Sequence, residues 1–130
     1  MNPRVLVIDD NDGFRSTLAA ALSHMGYEPV VPAGELGKVD VRAAISKTDY
    51  DLVITDVFMP EMDGLEVIQL LHSVKPDCPV IAMSGGSEKT SALISLKMAE
   101  SFGADRILYK PFKSHELDRA IRSLLDHRAV

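Results

Sequence analysis

The sequence is short of several things, and each shortage excludes a class of protein. It has one cysteine, Cys78, among 130 residues. A lone thiol cannot form an internal disulfide, so a disulfide-stapled secreted scaffold is excluded and a reducing compartment is expected. Cys78 stands between Asp77 and Pro79 in a turn, away from every histidine in the apparent layout, and reads as a bystander rather than a nucleophile. No apolar run approaches the roughly 18 residues of a membrane-spanning helix, so no membrane partner is expected. The N-terminus runs straight into a strand pattern with no signal-peptide layout, which reads as cytoplasmic. Positive charge is in deficit, with a net charge of -5, which argues against nonspecific contact with nucleic acid or anionic lipid. Walker and dinucleotide glycine patterns are missing, so Gly85-Gly86 is not read as a nucleotide loop. His24, His72, His115 and His127 lack metal-ligand spacing and read as solvated surface residues. There is no repeat, low-complexity tract or linker. What remains is an ordinary globular composition, 46% hydrophobic and 25% charged, sized for one domain with one core over 1–130.

The most informative stretch runs from Leu52 to Gly64. Leu52-Val53-Ile54-Thr55 is too short for a helix and too apolar for a surface loop, so it predicts a strand buried on both faces. It stops at Asp56, and Pro60 and Asp63-Gly64 then turn the chain. Asp63, with Glu66 three residues on, predicts a capped helix continuing to about Val74. Other strands are expected at Arg4–Ile8, Tyr27–Val31, Val80–Met83 and Arg106–Tyr109. Pro29 marks the second as an edge strand. Helices are expected from Phe14 to Met25 with Gly26 closing it, over Val41–Thr48, over about Glu88–Phe102 stopped by Gly103, and from an N-cap at Ser114 to the end. Residues 32–40 read as a loop. The alternation βαβαβαβαβα predicts an α/β fold, a parallel sheet with helices on both faces and right-handed crossovers.

Asp9-Asp10, Asp56, Ser84 and Lys110 all follow apolar strands directly. In an open parallel sheet those strand ends share one edge, where ligands bind. Three carboxylates gathered there repel one another, and a hard divalent cation removes the conflict. Mg²⁺ takes one or two carboxylates together with waters and phosphate oxygens. A metal, an attacking carboxylate, a lysine and a hydroxyl are together a set for phosphoryl transfer through an acyl phosphate.

These residues resemble the receiver domain of bacterial two-component response regulators. The resemblance covers the whole chain. It rests on Asp9-Asp10, on Asp56-Val57-Phe58-Met59-Pro60-Glu61-Met62-Asp63-Gly64, on Ser84, on Gly103-Ala104 and on Lys110-Pro111-Phe112. It implies a three-layer flavodoxin-like fold with strand order 2-1-3-4-5. It implies that Asp56 accepts a phosphoryl group from a phosphohistidine on a sensor histidine kinase or a histidine phosphotransfer protein. By the same resemblance, Asp10, Asp56 and the backbone carbonyl of Phe58 would bind Mg²⁺, with Asp9 helping through water. Ser84 and Lys110 would contact the phosphoryl group, and Lys110-Pro111 is often cis in such domains.

The pattern departs from the family in three places. Ile107 occupies the usual position of the switch aromatic, three before the lysine, and Tyr109 is expected on the same strand face. Ser84 and Lys110 are 26 positions apart, which is longer than usual by about four residues, roughly one helical turn. Phe58 stands two after the acceptor, and its bulky apolar side chain is expected to shield the phosphoryl group from water and lengthen its lifetime.

The expectation is thus a stand-alone receiver, not an enzyme beyond its own phosphorylation and dephosphorylation. It would signal through a downstream protein target or a phosphorelay, as a monomer or a phosphorylation-dependent dimer, without binding nucleic acid. Two alternatives stand beside it. One is an aspartate-nucleophile phosphatase or phosphotransferase of the haloacid-dehalogenase type, which normally carries a second acid where Phe58 stands. The other is a receiver fragment of a larger regulator or hybrid kinase.

Overall fold

A computed structural model describes residues 2–9, 11–32, 38–57, 64–84, 97 and 103–128. Its elements are β1 (Arg4–Ile8), α1 (Asp12–His24), β2 (Glu28–Val30), α2 (Lys38–Lys47), β3 (Leu52–Asp56), α3 (Gly64–Val74), β4 (Val80–Ser84), β5 (Arg106–Tyr109) and α4 (Ser114–Arg128). The five strands form one parallel sheet in the order β2-β1-β3-β4-β5, and β2 lies at the edge, as Pro29 implies.

The central strands β1, β3 and β4 are buried almost throughout because both faces of the sheet are covered there. Leu6, Ile8, Val53, Val80 and Ala82 point to a core completed by α2 and α3, through Ile45, Ile68 and Leu71. Val5, Val7, Leu52, Ile54, Ile81 and Met83 point the other way, to Leu18 and Leu22 of α1 and Leu117 and Ile121 of α4. Most of these side chains have no exposed surface. Each of the Val, Leu, Ile and Met side chains contributes about 1.5–3 kcal/mol through burial, which fixes the register.

Register decides where the functional residues emerge. Ile8 pairs with Thr55, Asp56 with Met83 and Ser84 with Tyr109. Backbone bonds carry the ladder beyond the strands: Val57 N–H donates to the Met83 carbonyl at 3.0 Å, and Lys110 N–H to the Ser84 carbonyl at 2.7 Å. The ends of β1, β3, β4 and β5 therefore stand side by side at one rim.

The helix ends show their local causes. Asn11 caps α1, its side chain accepting from Phe14 N–H at 2.9 Å. At the far end Gly26 takes φ 95°, Tyr27 N–H donates to the Leu22 carbonyl and Gly26 N–H to the Ser23 carbonyl. That is the paired closure for which glycine is favoured.

Three boundaries differ from expectation. α2 starts at Lys38, three residues earlier than its apolar stripe suggests. β2 is confined to Glu28–Val30. α4 is capped at Lys113, not at Ser114: the Lys113 carbonyl accepts from Glu116 and Leu117, and the Glu116 carboxylate accepts from Lys113 N–H at 3.3 Å. The expected Asp63 cap, and the expected helix over 88–102 apart from helical Lys97, lie outside the described residues.

Candidate functional site

The rim gathers two acids and one amine from three distant segments. Lys110 Nζ lies 2.6 Å from Asp9 Oδ2 and 2.9 Å from Asp56 Oδ2. The partners are 101 and 54 positions away in sequence, so only the sheet register brings them together. All three groups are largely dry, with side-chain exposures of 17% for Lys110, 0% for Asp9 and 9% for Asp56. Burial alone would lower the Lys110 pKa, but hydrogen bonds and charge from Asp9 and Asp56 prevail and raise it. The ammonium is therefore charged throughout the physiological range.

Several groups hold this arrangement. Asp9 Oδ1 accepts from Asn11 N–H at 2.9 Å. Arg15, itself buried, donates to the Asp9 backbone carbonyl at 2.7 Å and pairs with Asp12. The Phe14 ring lies beneath Lys110, with Nζ 4.0 Å from its centroid. Phe112 meets Phe14 edge to face, centroids 5.9 Å apart and planes at 88°. Thr55 Oγ donates to the Asp56 carbonyl at 3.1 Å.

Ser84 is fully buried at the end of β4, and its Oγ has no hydrogen-bond partner among the described residues. A buried hydroxyl without a partner costs about 1–3 kcal/mol, a cost that natural cores normally avoid. The Lys110-Pro111 peptide is cis.

Such an arrangement can hold an anionic transferring group: a carboxylate to attack, an ammonium to neutralise charge and a hydroxyl with hydrogen-bonding capacity to spare. The profile of the response regulator receiver domain matches residues 5–122. This chain belongs to that family.

Relatives of the receiver agree in sequence and in fold. It is 34% identical over 125 residues to the response regulator MprA of Mycobacterium sp. (strain KMS), covering 96% of this chain and 51% of that protein. The chain thus spans about half the length of the curated relatives it matches. Among solved structures it resembles a CheY-like receiver domain protein from Methanospirillum hungatei JF-1. There the TM-score is 0.82 and the identity 25%, over 99% of this chain and 98% of that one. The beryllofluoride-activated NtrC4 receiver domain dimer is a further likeness, with a TM-score of 0.78 and 27% identity over 95% and 97% of the two chains.

Of the residues singled out by sequence, Asp9, Asp56 and Lys110 meet directly, and Ser84 stands on the neighbouring strand end. Asp10 and Phe58 lie outside the described residues, as do Gly85 and Gly86. No group of three His, Cys, Asp or Glu placed to hold a metal occurs among the described residues. The two carboxylates that are described, Asp9 and Asp56, offer the hard oxygen donors that Mg²⁺ prefers.

Ile107 is half-buried against the α2/α3 core, whereas Tyr109 is 42% exposed. Cys78 is buried and packs in that same core. No helix among the described residues is long and apolar enough to cross a membrane.

One reading needs correction. His72 is not a solvated surface residue: it is half-buried, and Nε2 lies 3.0 Å from the Gly103 carbonyl, to which it donates. Phe14, Arg15 and Asn11 join the site in the structure, although their sequence pattern marks only a helix start. Arg15 follows the apolar stripe residue Phe14 directly, and nothing in its sequence position signals that its charge is buried.

Proposed function

We propose that this receiver accepts a phosphoryl group on Asp56 from a phosphohistidine, donated by a sensor histidine kinase or a histidine phosphotransfer protein. A carboxylate oxygen of Asp56 attacks phosphorus and forms the O–P bond of an acyl phosphate. The N–P bond to the donor imidazole breaks, and its electron pair stays on that nitrogen, which takes a proton from water. The carrying observation is the Lys110 ammonium, held at 2.9 Å from Asp56 and 2.6 Å from Asp9. It neutralises charge where the incoming group must settle.

In this reading Lys110 turns from the Asp56 carboxylate to a phosphoryl oxygen as the acyl phosphate forms. Asp9 keeps its second contact to the ammonium, which limits how far the amine travels. Ser84 Oγ, buried and without a partner among the described residues, donates to another phosphoryl oxygen. Asp9, Asp10, Asp56 and the Phe58 carbonyl would hold Mg²⁺, with Asp9 acting through water. The ion would supply charge neutralisation at the phosphoryl oxygens. The receiver promotes only its own phosphorylation and dephosphorylation.

Output would run through changed contacts with a protein target or through a relay, in the cytoplasm. The NtrC4 receiver is a dimer in its activated form. A phosphorylation-dependent dimer is the corresponding assembly here.

The test is incubation with a small phosphodonor and Mg²⁺, followed by intact mass and light scattering. One phosphoryl group should be gained by the native chain and none by Asp56→Asn. Multiple turnover of phosphomonoesters would instead favour an aspartate-nucleophile hydrolase.

A further inference from the structure

We propose that Phe14, braced by Phe112, is a positioning residue for the phosphoryl-transfer lysine: its ring face seats the Lys110 ammonium and keeps it in place while the amine exchanges a carboxylate for a phosphoryl oxygen. The inference rests on the function proposed above for Lys110 and extends it to residues outside the acid–amine–hydroxyl set.

Geometry supports this in three ways. Nζ sits 4.0 Å from the Phe14 centroid, well within the distance at which a ring quadrupole attracts a cation. The ring is fixed rather than incidental. Phe14 lies in the first turn of α1, and Asn11 caps that turn by accepting from the Phe14 N–H itself. Phe112 then holds the ring edge to face, and both rings pack at the margin of the α1/α4 core. Phe112 is two residues after Lys110, so the segment that delivers the amine also delivers the brace.

The chemical reason for an aromatic seat is its neutrality. Asp9 and Asp56 bind the ammonium by charge and compete with a phosphoryl group for it. A ring face attracts the ammonium without adding negative charge beside an incoming dianion. It also covers the ammonium with apolar surface, and the Lys110 side chain is 17% exposed. Electrostatic interactions strengthen where water is excluded.

Volume and ring face can be separated by substitution. Phe14→Leu keeps an apolar side chain and removes the quadrupole, whereas Phe14→Trp keeps and strengthens it. Fluorinated phenylalanines at position 14 weaken the quadrupole in steps at nearly constant size. In the unphosphorylated full chain, the ε-methylene protons of Lys110 should show an upfield ring-current shift that Phe14→Leu abolishes. Phosphorylation by phosphoramidate with Mg²⁺ should slow by about threefold to thirtyfold in Phe14→Leu, the range spanned by such contacts. It should fall stepwise with fluorination at an unchanged unfolding midpoint and recover in Phe14→Trp. A native Lys110 with no upfield shift would overturn the seat, whatever the phosphorylation result. Phe14→Leu or the fluorinated series reacting at the native rate would overturn its role in transfer. A chain that shows the shift but gains no phosphoryl group would overturn the function proposed above and the role in transfer with it, leaving only the contact.

Discussion

Replacing Lys110 with methionine removes one charge from between two buried ones. The length of the side chain is nearly kept, so the loss is mainly electrostatic. Asp9 and Asp56 lie 2.6 Å and 2.9 Å from the same nitrogen, so their facing oxygens are no more than about 5.5 Å apart. At an effective dielectric of about 20, two carboxylates at that separation repel by about 3 kcal/mol. Each also loses an attraction larger than that, offset in part because the ammonium no longer has to be desolvated. Breaking a buried pair from one side typically costs about 3–5 kcal/mol. With a urea dependence of about 2 kcal/mol per molar, the unfolding midpoint should fall by roughly 2 M. The assay is urea unfolding followed by circular dichroism at neutral pH, with chelator present. Adding Mg²⁺ should restore part of the loss, because under the proposed function the ion would return positive charge to the acids. In an Asp56→Asn background the same substitution should cost clearly less. A midpoint within about 0.3 M of the native value would refute the reasoning, since it would mean that the acids do not feel the amine.

Three further outcomes follow from particular contacts. Gly103 has φ 113°, and a Cβ there would sit 2.3 Å from His72 Nε2. Gly103→Ala should therefore destabilise by about 1–3 kcal/mol in thermal unfolding, only partly relieved by His72→Ala, and a neutral result would contradict the described backbone. Burial, with a smaller contribution from Cys78, pushes the Tyr50 phenol up to about 12, and burial also raises Tyr27, where Asp118 adds to the shift. An unfolded tyrosine ionises near 10, so this stability is full below pH 10 and is lost as pH rises toward 12. For Tyr50 the loss amounts to about 2 kcal/mol, and Tyr50→Phe should flatten the alkaline fall in unfolding free energy even though it costs the bond to the Ile45 carbonyl at neutral pH. Ser84→Ala should leave unphosphorylated stability unchanged or raised by up to about 1 kcal/mol while lowering phosphorylation yield, whereas a loss above about 2 kcal/mol would show a partnered hydroxyl.

The rim was legible because two strong signals coincide. Short apolar runs mark the strands, and the central strands give way to Asp9, Asp56 and Ser84. Register then has to place Asp9, Asp56 and Lys110 together once the sheet is parallel. Pro29 and Gly26 were legible for a local reason: one lacks a donor and the other tolerates positive φ.

What sequence concealed depends on contacts between distant segments. Phe14 occupies the same helical spacing whether its ring fills the core or seats an ammonium. Arg15 reads as solvated by composition and is buried because a backbone carbonyl, that of Asp9, needs a donor. His72 gains its place from a carbonyl 31 positions away. The α4 cap fell one residue early because Lys113 contributes only backbone, and its side chain gave no sign.

The most direct test is chemical trapping of the phosphorylated chain. Borohydride reduces an acyl phosphate to the corresponding alcohol, so peptide mapping reads out which carboxylate carried the group. Homoserine is expected at position 56 alone, dependent on Mg²⁺ and sharply reduced in Lys110→Met. Homoserine at position 9, or a phosphoryl group retained on a histidine or serine with position 56 intact, would contradict it.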